Sequence, residues 1–148
     1  MRMSLEQIFS LSGTLAMAGW IVLVFAPRRW AWVNAVPRLA VPLALSVLYA
    51  GFILAYFAES GGGYGSLAEV RQLFTMDELL LAGWIHFLAF DLMIGGFLAD
   101  RMDRNGINRF VQAPILFSTL MFGPVGVLLA YSLEGVLRLV SHRPAREG

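Results

Sequence analysis

Four long apolar stretches dominate the hydrophobic pattern of the chain. The first stretch (from Ile8), the second and the fourth contain no charged residue. The third contains two ionisable residues, His86 and Asp91. A hydrocarbon core about 30 Å thick requires about 20 helical residues, which each stretch supplies. Strict alternation, which is typical of barrel strands, is missing. We therefore predict an all-α fold, an integral membrane bundle of four transmembrane helices in a single domain over residues 1–148, with spans at about 5–26, 39–58, 79–99 and 111–133.

The composition agrees with a membrane protein and excludes several functions. Of the 148 residues, 58% are hydrophobic and only 14% are charged, whereas soluble domains have about 25% charged residues. The chain has no cysteine and no lysine, so thiolate metal sites, lysine Schiff bases and the phosphate-binding lysine of a P-loop are excluded. A net charge of +1 argues against a nucleic-acid partner. We expect a multi-pass membrane protein.

Arginine placement favours one orientation by a narrow margin. The first and third connections together hold six arginines, whereas the second connection and the two termini hold five. The positive-inside rule then places the first and third connections in the cytoplasm and both termini outside. Within the last span, Gly123 and Pro124 predict a kink, because proline removes one backbone donor from the helix.

His86 and Asp91 are the titratable residues of the third span. A carboxylate in mid-membrane costs about 3 kcal/mol on insertion scales, so it normally faces a partner or a polar cavity. Five helical residues turn through about 500°, which leaves the two side chains about 140° apart and unable to chelate one metal together. We expect them to face different neighbouring helices. Acid–base chemistry and structural hydrogen bonding are both open to them.

The predicted topology gathers polar side chains around the outer half of the bundle. A pocket there is suited to an elongated apolar molecule with one polar end. On the inner side, the arginines after Asp100 are interpreted as a solvated loop or a headgroup phosphate site. The expected outer group consists of Glu59, Asp77, Glu78, Tyr131, Glu134 and His142.

Two segments resemble a known family. The first is the run from Gly83 to Leu92 (GWIHFLAFDL), followed by Gly95 and Asp100, and the second is Met121–Gly126 (MFGPVG). Both are similar to the abscisic-acid-deficient-four-like family of small four-helix membrane proteins, whose plant members are required for neoxanthin synthesis. Gly123 stands where plant members carry cysteine, and Phe110 where they carry histidine. The chain is similar to a bacterial-type member, which implies a multi-pass protein of the bacterial inner membrane.

The resemblance implies a carotenoid or related isoprenoid lipid as ligand and its isomerisation as the reaction. An acid would protonate an epoxide oxygen while a base removes a ring-adjacent proton, so no cofactor is required. His86 and Asp91 match the family motif and are the candidate catalytic residues, with Asp100 as a third. The candidate substrate-binding residues are Trp84, Phe87, Tyr131 and Glu134.

Two other hypotheses stay open. In the first, the protein is a noncatalytic structural or lipid-binding subunit in which His86 and Asp91 hold the bundle together. In the second, it is a haem or metal protein that uses His86. The second is disfavoured, because the other histidine, His142, follows the last span. Expected partners are membrane lipids, the isoprenoid ligand and, for a homo-oligomer, further copies of the chain.

Overall fold

The computed structural model describes residues 3–141, and these residues are helical with short connections. They belong to two compact units, Met1–Met93 and Ile94–Gly148, which we describe separately. Within residues 3–141, three helices are long and apolar enough to cross a membrane, namely α1, α2 and α4. That the chain is one domain stays a prediction. The helices are α1 (Leu5–Phe25), α2 (Ala31–Glu59), α3 (Leu67–Leu73), α4 (Asp77–Arg104), α5 (Arg109–Phe122) and α6 (Pro124–Ser141).

Helix α1 begins with a complete capping box. The Ser4 hydroxyl accepts the Gln7 backbone N–H at 3.2 Å, and the Gln7 side chain accepts the Ser4 backbone N–H at 2.9 Å. These bonds satisfy backbone donors that have no partner inside the helix. The helix ends at Phe25, before Ala26 and Pro27. The helix predicted for the first span is therefore confirmed.

Helix α2 starts earlier than its apolar run indicates. It begins at Ala31 and not at about residue 39, where the predicted span starts. It continues through Pro37 and Pro42. The backbone accommodates the prolines with a π-helical segment at Val36–Ala40, closed by the Val41 N–H donating to the Val36 carbonyl. A π segment shifts the hydrogen-bond ladder by one residue and lets the helix proceed.

The first unit packs α1, α2 and the first part of α4 together. Phe9 lies 5.6 Å from Trp84 between ring centroids, and Gly19 lies against Leu92, so α1 and α4 run in the same direction. Val41 also contacts Gly19, and the Tyr49 ring lies 5.3 Å from the His86 ring. Helix α2 therefore runs opposite to both neighbours, as expected for three consecutive crossings.

The second unit overturns the prediction of one kinked helix over 111–133. Helix α5 ends at Phe122, Gly123 adopts a positive φ of 42°, and α6 begins at Pro124. Residues other than glycine rarely adopt that conformation, and proline favours the first turn of the new helix. At 14 residues, α5 is about 21 Å long and too short to cross the core alone.

Helices α5 and α6 form a hairpin. Gln112, near the start of α5, donates to Asp103 at 2.7 Å, while Glu134 of α6 pairs with Arg101 at 2.7 Å. Both partners lie in the last turns of α4, whereas a straight helix would separate residues 112 and 134 by about 33 Å. Close packing follows at Gly126, because a Cβ there would lie 2.7 Å from the Thr119 Cα.

We predict that Gly126→Ala destabilises the hairpin. The added methyl group would collide with Thr119 backbone and side-chain atoms, an overpacking effect of about 1–3 kcal/mol. Gly135→Ala on the same helix is the control, because a Cβ there meets no atom within 4 Å and alanine favours helix. In detergent, the thermal unfolding midpoint of Gly126→Ala should be lower than that of wild type, and the midpoint of Gly135→Ala should equal or exceed it. Equal midpoints for the two variants would contradict the close approach.

Candidate functional site

His86 lines a cavity of about 410 Å³ in the first unit. Its imidazole stacks on Phe90 at 4.5 Å between ring centroids and is tilted against Tyr49 at 5.3 Å. Helix α2 supplies Tyr49, and the connection between α2 and α3 supplies Tyr64. Three side chains with exchangeable protons thus meet in an apolar enclosure. The lining consists of Tyr49, Ile53, Phe57, Tyr64, Leu73, Phe74, Leu79, Gly83 and His86.

The glycine-rich connection holds Tyr64 in a defined position. Gly63 donates its N–H to the Glu69 carbonyl, and Gly65 donates to the Glu69 carboxylate at 2.9 Å. A Cβ on Gly62 would lie 2.7 Å from backbone atoms of Glu69 and Leu73, so only glycine fits there. The Tyr64 ring then stacks on Phe57 at 5.4 Å. The loop therefore has a fixed conformation with the phenol at the cavity.

A larger apolar groove of about 770 Å³ lies beside this cavity. Trp84 lies between Phe9 and Phe87, at 5.6 and 5.7 Å from their ring centroids. Phe74 and Gly83 line both spaces, and a Cβ on Gly83 would lie 2.7 Å from the Phe74 ring. The groove residues are Leu5, Glu6, Phe9, Phe74, Asp77, Leu80, Leu81, Gly83, Trp84 and Phe87.

Asp91 lies on a different face of α4 from His86, which confirms the angular prediction. His86 is exposed at its cavity, whereas Asp91 is only 6% exposed. The Asp91 Oδ2 atom is buried and has no hydrogen-bond partner within residues 3–141. The two residues therefore do not act on one atom together. Each candidate catalytic role stays a prediction.

The second unit holds the other predicted site residues. Arg101 donates to both carboxylate oxygens of Glu134 at 2.7–2.9 Å, and its guanidinium lies 4.6 Å from the Tyr131 ring centroid. Glu134 is 5% exposed, and its pKa lies below the ordinary value, chiefly because Arg101 donates hydrogen bonds to it. Asp100 forms an ion pair with Arg104.

One expectation for these residues is wrong. Glu134 and Tyr131 meet Arg101 at the C-terminal end of α4, so they do not join Asp77 and Glu78 at its N-terminal end. The reason is the hairpin, which turns α6 back toward the start of α5. The phosphate hypothesis also loses support, because Arg101 and Arg104 are engaged by carboxylates. The substrate-binding role of Tyr131 and Glu134 stays a prediction.

The structure offers no metal-binding group of three or more His, Cys, Asp or Glu side chains among residues 3–141. His142, the other histidine, lies outside the described residues. Sequence reasoning missed Tyr49, Tyr64 and Phe74 as site residues. Their only sequence signal is position, since Tyr49 is polar-tipped within an apolar span and Tyr64 is enclosed by glycines.

Comparison with known proteins gives one family. A family model described as ABA DEFICIENT 4-like matches residues 7–131, which is more than four-fifths of the chain. The match covers α1 to α5 and most of the first half of α6, and thus both the cavity and the hairpin turn. No match was found among curated proteins or solved structures.

We predict that Arg101 and Glu134 stabilise the second unit as a coupled pair. Arg101→Met and Glu134→Gln should each lower the thermal midpoint, because each leaves a partner with an unmatched charge. The double variant should lose less than the sum of the single losses. Arg104→Met is the control, since its pair with Asp100 is more exposed and contributes little. Strict additivity in this double-mutant cycle would contradict the coupling.

Proposed function

The chain belongs to the ABA DEFICIENT 4-like family, and we propose that it is a membrane protein that binds a carotenoid or related isoprenoid lipid and isomerises it by cofactor-free acid–base chemistry. One observation carries this proposal: an apolar aromatic groove adjoins a cavity containing His86, with Phe74 and Gly83 as their common wall. The arrangement suits a long apolar chain that ends in a reactive ring.

The groove supports binding of a polyene. Conjugated chains are flat and polarizable, so they pack well on aromatic faces. The rings of Phe9, Trp84 and Phe87 form a row along the groove, and each is between a third and a half exposed. Ordinary lipid competes for such a surface. A ligand that also reaches the His86 cavity gains contacts that a saturated chain lacks.

His86 supports the acid–base role. An imidazole both donates and accepts protons near neutral pH. In the proposed reaction, an acid gives a proton to the epoxide oxygen as one C–O bond breaks, and a base removes a proton from the adjacent carbon as the allene forms. The proton count is unchanged, so the step is an isomerisation. Asp91 and Asp100 are weaker candidates, because Asp91 is buried on another face and Asp100 is paired with Arg104.

A noncatalytic lipid-binding subunit is the second candidate. The observation in its favour is that the groove row consists of Phe9, Trp84 and Phe87 and requires no proton transfer. In that case His86 serves as a hydrogen-bonding or packing residue against Phe90 and Tyr49. The two candidates differ in whether the bound lipid changes covalently.

The hairpin suggests a membrane topology that differs from the four-span prediction. We propose that α1, α2 and α4 cross the membrane and that α5 and α6 enter and leave on one side. The arms from Gln112 to Phe122 and from Pro124 to Glu134 are each about 15 Å long, half of the hydrocarbon core. Non-crossing hairpins of this kind are tolerated where protein covers their turn.

This topology also resolves the arginine distribution. The C-terminal end then lies on the same side as the connections after α1 and α4, and the N-terminal end lies opposite. Nine of the eleven arginines fall on one side, which the positive-inside rule identifies as cytoplasmic. Only Arg2 and Arg71 fall on the other side. The nine are Arg28, Arg29, Arg38, Arg101, Arg104, Arg109, Arg138, Arg143 and Arg146.

We predict opposite labelling of two cysteine variants, which the natural absence of cysteine makes clean. In intact cells, a membrane-impermeant maleimide should label Glu59→Cys, at the exposed C-terminal residue of α2. Ala145→Cys, near the C-terminus, should react only after permeabilisation. Labelling of both positions in intact cells would favour the four-span topology instead.

We predict that His86→Gln retains bound polyene but lowers turnover at least about a hundredfold, as expected for loss of a general acid or base. Trp84→Ala should reduce the amount of bound polyene, because it removes the central ring of the groove. Trp32→Ala is the matched control, since Trp32 lies outside both spaces and is 71% exposed. Absorption spectra would report binding, and mass-resolved chromatography would report isomerised product.

The outcomes separate the candidates. Unchanged turnover in His86→Gln would remove His86 from the chemistry. Binding of polyene without isomerised product in wild type would support the noncatalytic subunit. Failure of wild type to bind any polyene would contradict the proposed carotenoid ligand.

A further inference from the structure

We propose that Tyr49 and Tyr64 form, with His86, a hydrogen-bonding subsite for an oxygen-bearing ring, so that the protein selects hydroxylated or epoxidised polyenes over hydrocarbon ones. This inference rests on the proposed function, because it identifies the residues that bind the ring at one end of the ligand proposed there. It adds two residues to the site and a basis for ligand discrimination.

The first support is the convergence of three donors from separate segments. Tyr49 comes from α2, Tyr64 from the glycine-rich connection and His86 from α4, and all three line one cavity of about 410 Å³. The centroids of the His86 and Tyr49 rings are 5.3 Å apart, and the Tyr64 ring lines the same cavity. A hydroxyl is both donor and acceptor, so the two phenols can each turn a donor toward a ligand oxygen.

The second support is the structure of the connection that holds Tyr64. Two backbone N–H groups are fixed by Glu69, and Gly62 admits no side chain. Such a loop limits the positions open to the phenol, although the Tyr64 side chain itself is 71% exposed. A tyrosine that serves only as an anchor at the membrane surface would not require a loop of fixed conformation. The fixed loop and the stacking of Tyr64 on Phe57 instead place the phenol at the cavity.

The third support is the contrast with the remaining walls. Apart from the three polar rings, the cavity lining is aliphatic or aromatic. A hydrocarbon ring there leaves the donors without partners, whereas a ring oxygen satisfies them. Polar groups in an apolar site discriminate strongly against ligands that lack the matching atom. Selection for oxygen therefore follows from the lining, with the long chain in the groove beyond Phe74.

The test compares zeaxanthin with β-carotene, which share one carbon skeleton and differ in ring hydroxyl groups. Energy transfer from tryptophan to the bound polyene in detergent gives both dissociation constants. Wild type should bind zeaxanthin more tightly, and Tyr49→Phe and Tyr64→Phe should each weaken that binding about fivefold, the usual effect of one neutral hydrogen bond. Their β-carotene affinity should stay at the wild-type value.

Tyr56→Phe is the matched control, because Tyr56 is on α2 and stacks on Phe52 outside the cavity. Thermal midpoints establish that each variant is folded, and replacing tyrosine by phenylalanine keeps the ring packing. If Tyr64→Phe alone unfolds, Tyr49→Phe carries the comparison. A purely structural role would change both affinities together.

Three results are informative. Loss of zeaxanthin preference in the two variants, but not in Tyr56→Phe, supports the subsite. Equal affinity of wild type for the two polyenes, or a preference that survives both substitutions, overturns the subsite and leaves the proposed function standing. Binding of neither polyene overturns the proposed function and the subsite with it.

Discussion

The ion pair between Arg101 and Glu134 is the interaction on which the second unit depends. It brings the middle of α6 to the last turns of α4, where Gln112 already ties down α5. The chain must therefore reverse between the two anchors, and Gly123 provides the reversal with its positive φ. Because each arm is about half as long as a span, we propose that this segment returns to the side of the membrane from which it starts.

Glycines determine the site in the first unit in a comparable way. Gly62 lets the connection after α2 pack onto the backbone of α3, which fixes the position of Tyr64. Gly83 lets the Phe74 ring lie against α4, which separates the groove from the His86 cavity. Neither position needs a special φ. Each needs the absence of a side chain so that a polar or aromatic neighbour can occupy the space.

Hydropathy predicted the membrane class and the long apolar helices α1 and α4, because apolar runs of about 20 residues with few charges are typical of membrane-spanning helices. It failed at 111–133, since Gly123 and Pro124 are compatible with either a kink or a reversal. The arginines after Leu137 were the contrary signal, because they conflicted with the predicted orientation. His86, Trp84 and Phe87 were recognised from one helix. Tyr49 and Tyr64 were missed because only tertiary packing brings their segments to His86.

The most direct test of this account is the distance between spin labels at Val111→Cys and Val136→Cys, two exposed positions in a chain without other cysteines. Electron paramagnetic resonance in lipid bilayers should report a short distance, set by helices packed about 8–10 Å apart plus the two label arms. A single continuous helix would separate the two backbones by about 37 Å. A measured distance near that value would contradict the hairpin and the topology built on it.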